Sequence, residues 1–530
     1  MLNLHQRLML FAGAITAPCA LIAQPGSLDP SFGDNGVVQN DRWGARSIAL
    51  NSAEDILVLT GSDGVLLWDS SEFPPVEFFH TVPWLQRYSD DGTLDLLFGA
   101  QGTIDLSPSF PGFSAEHVLV QTDDRILLVG HAYWPGNVLT PAIARLLPDG
   151  EPDPDFGAGG LSMFDPALAD EVQVRGALLD GAGRTVVFGR RGVVHSDVAL
   201  FRWLTDGSLD ASFGSNGLVL LDLGGDPATG TDRVADAGIL PDDGVLLTGQ
   251  CHNGTAPKAL FVGRLLNDGT PDPGFGNNGF AMDGQTAPPW TVATSVALLD
   301  NGSALVAGVR TVPGQVAFLR RYTANGALDM SFGLAGELTE PTGPDASAIL
   351  DLLPINGGGV LWLAADTGAV VGQFTSSGAP QLAFGSAGRT SVFTQLSCQP
   401  TDFLQYNDGR VLVSGSALDS DGALHLQIYR TAGPATGWED PRTTDPVMAT
   451  VHGSPWSEGS AVVLHLRQPL LCTLDVVDVQ GRVVANMINE EQLAPGEHRF
   501  ELSAMRELAA GPYGLRLQMD GLVRLVHVVR

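Results

Sequence analysis

A Phe-Gly pair that recurs seven times constrains this chain more than any other feature of its sequence. Each Phe is followed four residues later by a glycine, and six of the seven are preceded by an Asp three residues earlier, with Gln381 as the exception. Seven copies that keep three fixed offsets require a repeated structural unit rather than one large core. The phenylalanines of the pairs are Phe32, Phe98, Phe156, Phe213, Phe275, Phe332 and Phe384.

Each unit contains four short segments that are predicted to be β-strands, here called a, b, c and d. Strand a follows the Phe-Gly pair, strand b ends in a turn, strand c is a compact apolar run, and strand d leads to the next pair. Asp-Gly and Asn-Gly turns supply the positive φ that tight hairpins need, so they separate antiparallel strands. We therefore predict an all-β chain with a seven-bladed β-propeller of four-stranded antiparallel blades over residues 26–432. A β-solenoid is the alternative, but its coils are much shorter than this period.

The repeat also has a family resemblance. The pattern Leu-Asp-x-Ser-Phe-Gly-x-x-Gly, with a later Asp-Gly-x-Val-Leu-Val-x-Gly, resembles the delta-60 repeat of bacterial secreted proteins, and residues 26–36 and 206–217 match it closely. The resemblance implies a propeller-like extracellular fold. It implies no catalytic residues, because that family has none in common.

The N-terminus, residues 1–23, is predicted to be a secretory signal peptide. Arg7 precedes an apolar run over residues 8–23, which is short for a membrane span of ~20 residues. No later segment is apolar enough to cross a bilayer, so we expect no transmembrane segment in the mature chain. The cysteines that remain have neither the number of a disulfide framework nor the spacing of metal ligands, and they are predicted to be free thiols: Cys251, Cys398 and Cys472.

The C-terminal part does not continue the repeat. Residues 433–447 have the composition of a linker, and residues 448–530 contain short alternating segments that predict a small Ig-like β-sandwich. This part resembles the C-terminal sorting domain of the type IX secretion system, although the usual opening Tyr-Pro-Asn-Pro is replaced here by His452-Gly453-Ser454-Pro455. An ordinary accessory β-sandwich is the alternative. The residues that carry the resemblance include Asp478, Gly481, Arg482, Gly496, Gly511 and Tyr513.

This second resemblance implies a location and a partner. The protein would cross the inner membrane by its signal peptide and the outer membrane of a Gram-negative bacterium by contact with the outer-membrane secretion machinery. We therefore expect it to be secreted or displayed on the cell surface.

The residues that carry chemistry in most enzymes do not form a recognisable group in this sequence. The eleven histidines are scattered, and there is no zinc-protease motif, nucleophile elbow or P-loop. The segment Asp419-Ser420-Asp421-Gly422 is interpreted as a hairpin turn, since it lacks the further ligands of a calcium loop. The sequence thus predicts no catalytic residues, no metal site and no cofactor. The net charge of −31 also disfavours nucleic acids and anionic membranes as partners.

The loops point to a binding surface. In a four-stranded meander the b–c and d–a connections share one face and are nearly constant here, whereas the a–b and c–d connections lie on the other face and vary in length. Variable loops on a rigid scaffold are where binding usually resides. The largest insertion is the c–d loop of the first blade, and the longest a–b loop is around residues 224–232. The aromatic residues of the c–d insertion form our candidate binding loop for a glycan or a protein: Trp68, Phe73, Phe78, Phe79 and Trp84. Alternatively, the insertion folds onto its own blade and buries these rings.

The repeated aspartates have a predicted partner. In five units an arginine of strand d precedes the repeat Asp by eight residues. In the sixth unit both positions are glutamine, Gln373 and Gln381, and the seventh strand d has Ile428 there with no Phe-Gly unit after it. Joint loss of both charges is expected of an ion pair, since one partner alone would leave a charge uncompensated. We expect these pairs to be structural and to lock the turn between successive units: Arg87 and Asp95, Arg145 and Asp153, Arg202 and Asp210, Arg264 and Asp272, Arg321 and Asp329.

The sequence therefore favours a secreted or cell-surface propeller that binds an extracellular ligand and has no catalytic activity of its own. An extracellular carbohydrate-active hydrolase or lyase is the first alternative, and it would need acid and base residues in the central funnel. A structural or adhesive surface protein is the second.

Overall fold

The structure is a computed structural model, and it describes residues 26–529 apart from a set of short segments. Among the described residues every helix or strand is a β-strand, which confirms the predicted all-β class. None of the described residues belongs to a helix that could span a membrane. The residues outside the description are 1–25, 41–43, 62–67, 70–75, 78–82, 135–137, 166–171, 193–195, 224–230, 253–258, 284–289, 313, 340–347, 356–358, 366–368, 394–397, 419–423, 433–446, 453–460, 467–469, 478–481, 495, 502–511, 520–521 and 530.

The chain divides after Ala432 into two compact units. The described part of the first unit contains thirty strands. They are β1 (Val37–Asn40), β2 (Gly44–Leu50), β3 (Ile56–Gly61), β4 (Trp68–Asp69), β5 (Val76–Glu77), β6 (Pro83–Tyr88), β7 (Thr103–Asp105), β8 (Phe113–Val120), β9 (Ile126–Trp134), β10 (Val138–Leu146), β11 (Leu161–Met163), β12 (Val172–Leu179), β13 (Thr185–Arg191), β14 (Asp197–Trp203), β15 (Leu218–Leu221), β16 (Arg233–Ile239), β17 (Val245–Cys251), β18 (Ala259–Leu265), β19 (Phe280–Met282), β20 (Trp290–Leu298), β21 (Ala304–Val312), β22 (Gly314–Tyr322), β23 (Glu337–Thr339), β24 (Ala348–Ile355), β25 (Gly359–Ala365), β26 (Ala369–Phe374), β27 (Arg389–Phe393), β28 (Cys398–Gln405), β29 (Val411–Leu418) and β30 (Leu424–Thr431).

Apart from β4 and β5, which form a separate two-stranded sheet, these strands form seven four-stranded antiparallel sheets, as predicted, and each of these seven sheets is one blade of a propeller. In sheet order, blade 1 is β2-β3-β6-β7, blade 2 is β8-β9-β10-β11, blade 3 is β12-β13-β14-β15, and blade 4 is β16-β17-β18-β19. Blade 5 is β20-β21-β22-β23, blade 6 is β24-β25-β26-β27, and blade 7 is β28-β29-β30-β1. The b strands of neighbouring blades contact one another, so they are the innermost strands and line the central channel. The strand after each Phe-Gly pair is therefore the outermost strand of the preceding blade.

The ring closes through its two ends. Strand β1, near the N-terminus, pairs antiparallel with β30, and Val38 lies opposite Ile428 in the register. Blade 7 thus takes three strands from the end of the propeller and its outer strand from the beginning. Main-chain hydrogen bonds join the two ends, so no separate element is needed to close the ring.

The core lies between the blades, and the c strands show why. Alternate residues of a strand face opposite sides of its sheet. In β9, Ile126 and Leu128 belong to an apolar cluster shared with blade 1, whereas Leu127 and Val129 belong to a cluster shared with blade 3. Both faces of a blade are covered by its neighbours, which is why the c strands are continuous apolar runs rather than alternating ones.

The strands described in the second unit are β31 (Val447–His452), β32 (Ala461–Leu466), β33 (Leu470–Val477), β34 (Val483–Leu493), β35 (Gly496–Glu501), β36 (Pro512–Met519) and β37 (Leu522–Val529). They form two antiparallel sheets, one with the order β31-β32-β35 and the other with the order β34-β33-β36-β37. Cys472, Leu474 and Val476 of β33 are buried. The Ig-like assignment of this unit remains a prediction.

Candidate functional site on the loop face and in the central channel

The connections on one face of the propeller have nearly the same length in every blade, and those on the other face do not. The six d–a connections that are continuous in the chain each have 14 residues, and six of the seven b–c connections have 5. The c–d connections range from 1 residue in blade 5 to 21 in blade 1, and the a–b connections from 3 to 11. We call the first face the constant face and the second the variable face.

The constant face is held together by the arginines of the d strands. In each of the five predicted pairs a guanidinium nitrogen lies 2.7–2.8 Å from a carboxylate oxygen of the repeat Asp. Each of these arginines also donates a hydrogen bond to a backbone carbonyl in the turn of the next blade. We call this arrangement, an arginine bound to its own Asp and to the next blade, an arginine staple. The carbonyls belong to Pro148, Thr205, Asn267, Ala324 and Ser376.

The repeat phenylalanine completes the staple. In blade 3 the guanidinium carbon of Arg202 lies 4.4 Å from the ring centroid of Phe213, and the corresponding distance from Arg145 to Phe156 in blade 2 is 4.5 Å. A guanidinium within about 6 Å of a ring centroid is attracted to the face of the ring. The Phe, the Asp and the Arg of the repeat therefore form one contact at the junction between blades.

A sixth staple lies in blade 7, where the sequence analysis expected none. The predicted alignment of Ile428 with the arginines is wrong, because the residue at the equivalent place in β30 is Arg430. Its guanidinium lies 2.9 Å from Asp29, which belongs to the first Phe-Gly unit of the chain. The partner was missed because it lies at the other end of the propeller sequence, and only ring closure brings the two together.

The glutamine pair of blade 6 lies at the remaining junction. In this junction the turn of the next blade is divided between the end of β30 and the segment that begins at Gly26. A Cβ on Gly26 would lie 2.8 Å from the backbone nitrogen of Gly385 and 2.9 Å from the ring of Phe384, as the turn glycines do elsewhere. The glutamine pair therefore replaces the staple at the junction where the neighbouring turn is formed by two separate segments of the chain.

The repeat aspartates are committed to this structure. Burial alone would raise the pKa of Asp210, but hydrogen bonds from Ser212 and the ion pair with Arg202 hold the pKa below its usual value. The same balance of burial, backbone hydrogen bonding and an arginine lowers the pKa of Asp153. Low pKa values make these carboxylates unsuitable as proton donors at neutral pH.

The candidate binding loop of blade 1 lies mostly outside the described residues. Phe73, Phe78 and Phe79 are among the residues not described. Trp68 lies in β4, whose backbone pairs with β5. Trp84 lies in β6 and is half-buried. The exposure of the five rings as a cluster stays a prediction.

The central channel contains polar residues that the sequence analysis did not single out. Every b strand has a β-bulge at the same place, and the residue after the bulge is Ser, His, Gly or Asp in all seven blades. The signal was present in the sequence, because this residue stands four residues before the b–c connection in six units and five residues before it in blade 6. From blade 1 to blade 7 these residues are Ser47, His117, Gly176, Asp236, Ser295, Asp351 and Asp402.

Several of these side chains bind the next blade. The carboxylate of Asp402 accepts hydrogen bonds from the Ser47 hydroxyl and from the backbone nitrogen of Ile48, both at 3.0 Å. The hydroxyl of Ser47 in turn accepts from the backbone nitrogen of Val118 at 3.2 Å. We call the seven post-bulge residues the channel belt, because they stand at the same place in every b strand.

The carboxyl groups of the channel belt have raised pKa values. Burial raises the pKa of Asp351 to about 8, and the nearby charge of Asp236 adds to the effect. Burial raises the pKa of Asp402 to about 6. Burial also raises the pKa of Asp236, although hydrogen bonds from Ser295 and two backbone nitrogens oppose the shift. Carboxyl groups with raised pKa values in a cleft are chemically distinct from the repeat aspartates of the constant face.

A histidine of strand β9, outside the channel belt, also binds the next blade. The Nδ1 atom of His131 lies 2.7 Å from a carboxylate oxygen of Glu116, and its Nε2 accepts a hydrogen bond from the backbone nitrogen of Val174 at 3.0 Å. Because Nε2 accepts a hydrogen bond, the proton of the neutral ring is on Nδ1 and points to Glu116. This arrangement fastens blade 2 to blade 3.

On the variable face, three carboxylates come together between blades 3 and 4. Oxygens of Asp197, Asp222 and Asp232 lie within 4.8 Å of one another. Burial and the charge of Asp222 raise the pKa of Asp197. Carboxylate oxygens are ligands that calcium accepts. These are the residues of the described variable face that could hold a metal ion, and the sequence analysis did not group them.

The residues that carry the resemblance to a sorting domain are only partly described. Asp478, Gly481 and Gly511 lie outside the described residues. Arg482, Gly496 and Tyr513 lie at or beside strands β34, β35 and β36.

Comparison with protein families gives one match. Residues 121–156 and 300–332 match a family described as "Domain of unknown function (DUF5122) beta-propeller". These two segments come from blades 2 and 5, and each runs from the b–c connection to the repeat Phe. No curated protein matches the chain.

Solved structures give several matches at low identity. A polysaccharide lyase of family PL25, an ulvan lyase, is 12% identical with a TM-score of 0.47, and the match covers 78% of this chain and 96% of the lyase. A protein of unknown function from Dyadobacter fermentans is 12% identical with a TM-score of 0.37, covering 74% of this chain and 98% of that one. The β-propeller domain of the Trilobed protease from Pyrococcus furiosus is 7% identical with a TM-score of 0.40, covering 73% and 95%.

The repeat pattern, the seven four-stranded blades and the family match lead to one conclusion. The chain is a seven-bladed β-propeller built from a repeat similar to that of the DUF5122 propeller family, followed by a second all-β unit.

Proposed function

We propose that this protein is a secreted or surface-displayed binding protein of a Gram-negative bacterium, and that its ligand binds on the variable face of the propeller. The observation that carries the proposal is the contrast between the two faces. Six arginine staples occupy the turns of the constant face, whereas the connections of the variable face range from 1 to 21 residues. Differences in length that the scaffold does not require are typical of binding loops.

The charge of the chain restricts the ligand. A net charge of −31 repels polyanions, so a neutral glycan or a protein with a basic surface is favoured over a sulfated or uronic polysaccharide. The aromatic residues predicted for the insertion of blade 1 would suit the apolar faces of sugar rings. Export through the second unit, by a type IX secretion system, would place this face outside the cell.

A glycan array that contains neutral and acidic glycans, probed with the mature chain, tests the proposal. Three proteins are compared: the wild type, a variant in which residues 62–82 are replaced by a short Gly-containing turn, and a control. The control is Leu97→Ser combined with Leu334→Ser, because these side chains are 93% and 87% exposed on the constant face. We expect the wild type and the control to bind the same glycans and the loop variant to lose that binding.

Two results would contradict the proposal. Loss of binding in the control but not in the loop variant would place the ligand on the constant face. Absence of binding to every glycan, together with no binding to purified basic proteins, would favour the structural or adhesive alternative.

One observation favours a second candidate, an extracellular polysaccharide hydrolase or lyase. Asp351 has a pKa of about 8 and is close to Asp236 at the channel, so one carboxyl group could act as acid while the other acts as base. Incubation of the mature protein with neutral polysaccharides, followed by a reducing-end assay, tests this. Turnover that is lost in Asp351→Asn and in Asp236→Asn would establish the enzyme, and absence of turnover would leave the binding protein.

A further inference from the structure

The hydroxyl of Ser295 lies between two carboxyl groups from the neighbouring blades. It is 2.6 Å from Oδ2 of Asp236 in blade 4 and 2.8 Å from Oδ1 of Asp351 in blade 6. The same oxygen accepts the backbone N–H of Leu352 at 3.0 Å. A serine hydroxyl has one hydrogen, so it can donate to only one of the two carboxyl groups. The other contact is a hydrogen bond only if the carboxyl group supplies the proton.

We infer that Asp236, Ser295 and Asp351 share one acid proton at neutral pH, that this proton is on Asp351, and that it fastens blades 4, 5 and 6 together along the channel wall. In this arrangement the Asp351 carboxylic acid donates to the Ser295 hydroxyl, and the hydroxyl donates to the Asp236 carboxylate.

The hydrogen-bond donors decide which carboxyl group is neutral. Asp236 receives the backbone N–H groups of Ala237 and Val296, both at 2.8 Å, in addition to the hydroxyl of Ser295. Asp351 receives one backbone N–H, that of Leu352 at 2.8 Å, and it shares this N–H with the Ser295 hydroxyl. More donors stabilise the charged form of a carboxyl group, so Asp236 is the anion and Asp351 the acid.

The surrounding charges act in the same direction. Arg175 of β12 favours the anion on Asp236, whereas Asp402 of β28 disfavours an anion on Asp351. The residues of the c strands that lie opposite Asp236, Ser295 and Asp351 are Thr248, Ala307 and Leu363, and none of these side chains titrates. The raised pKa of Asp351, about 8, agrees with this assignment.

The shared proton makes the ring sensitive to alkaline pH. A carboxyl group whose pKa is raised on folding stabilises the folded state at low pH, and this stabilisation is lost as the pH rises through the folded pKa. Above about pH 8, two carboxylates would face one hydroxyl, and one of the two contacts would become repulsive. We therefore expect blades 4 to 6 to loosen from one another in that range before the rest of the ring.

Infrared spectroscopy of the mature protein, recorded across the pH range from about 5 to about 10, tests the inference through the carbonyl stretch of a protonated carboxyl group. At pH 7 we expect the wild type to show such a band and to lose it with a midpoint near pH 8. Asp351→Asn should abolish the band, because an amide replaces the acid. Asp402→Asn is the matched control, since Asp402 has the same place in the next blade but titrates near pH 6, and it should keep the band.

Asp236→Asn adds a second readout. It removes the neighbouring negative charge, so the midpoint of the remaining band should fall. If Asp351→Asn does not fold, the wild type and the two other variants still decide the question.

Three results would overturn the inference: no protonated carboxyl group at pH 7, a band that survives Asp351→Asn, or a band that appears only after treatment with a chelator. The last result would mean that a bound cation, and not a proton, holds the two carboxylates together.

Discussion

The staple of blade 3 should contribute far more to stability than the staple of blade 1, although the two have the same residues. Arg202 is 1% exposed, and Asp210 is also buried, whereas the side chains of Arg87 and Asp95 are 20% and 28% exposed. Loss of one partner of a buried ion pair costs about 3–5 kcal/mol because the other charge is left uncompensated. An exposed pair contributes about 0–1 kcal/mol.

The surroundings of the blade 3 pair place the cost of Arg202→Gln near the lower end of that range. The substitution removes two contacts of 2.8 Å to Asp210, the hydrogen bond to the Asn267 carbonyl and the contact with the Phe213 ring. Arg184, however, lies 3.6 Å from Asp210 and would still compensate part of its charge. We expect Arg202→Gln to lower the free energy of unfolding of the propeller by about 3 kcal/mol.

Urea denaturation of the mature protein, followed by tryptophan fluorescence, measures these differences from the shift of the midpoint at constant slope. Arg87→Gln is the matched variant and should cost no more than about 1 kcal/mol. The double variant Arg202→Gln with Asp210→Gln copies the natural glutamine pair of blade 6, and it should cost less than the two single substitutions added together. Equal costs for Arg202→Gln and Arg87→Gln would show that burial does not set the contribution of a staple. Additive costs in the double variant would show that Arg202 and Asp210 are not coupled.

Further predictions concern the junction of blades 6 and 7, the channel and export. Gly26→Ala should weaken the junction of blades 6 and 7 and speed proteolysis of the native protein, because the new Cβ meets Phe384 and the φ of this residue is +78°. Gly238→Ala is the control and should leave the rate of proteolysis unchanged, because its Cβ meets no atom within 4 Å. As the pH rises from about 4 to about 6, the wild type should lose about 2 kcal/mol of its free energy of unfolding relative to Asp402→Asn, because the pKa of Asp402 is raised to about 6 on folding. Urea denaturation at several pH values measures this difference. Deletion of residues 448–530 should retain the protein in the periplasm, as measured by cell fractionation, and normal export of the truncated chain would contradict the assignment of a sorting domain.

Most of the propeller could be predicted because its sequence signals are local and repeated. A Phe-Gly pair with an Asp three residues before it defines a turn of 14 residues, and the continuous apolar c strands indicate sheets covered on both faces. The arginine eight residues before the Asp lies on the same hairpin, so its partner is near it in the chain as well as in space. Such short-range relations do not depend on how the ring closes.

The features that were missed depend on long-range geometry. Arg430 and Asp29 are some four hundred residues apart, and nothing local to β30 shows that its outer strand comes from the N-terminus. The channel belt combines one residue from each blade. Its glycine and serine members carry no charge, so the position does not stand out when the seven units are aligned. Its carboxyl groups acquire their chemistry only from burial and from each other, which a sequence does not display.

We propose that the variable face binds the ligand while the constant face is structural. Hydrogen exchange of the mature protein, measured by mass spectrometry with and without a bound glycan, tests this most directly because it reports on every connection at once. We expect new protection in the c–d insertion at residues 62–82 and in the a–b connection at residues 222–232, with the turn at residues 89–102 unchanged. Protection confined to that turn and its equivalents on the constant face would contradict it.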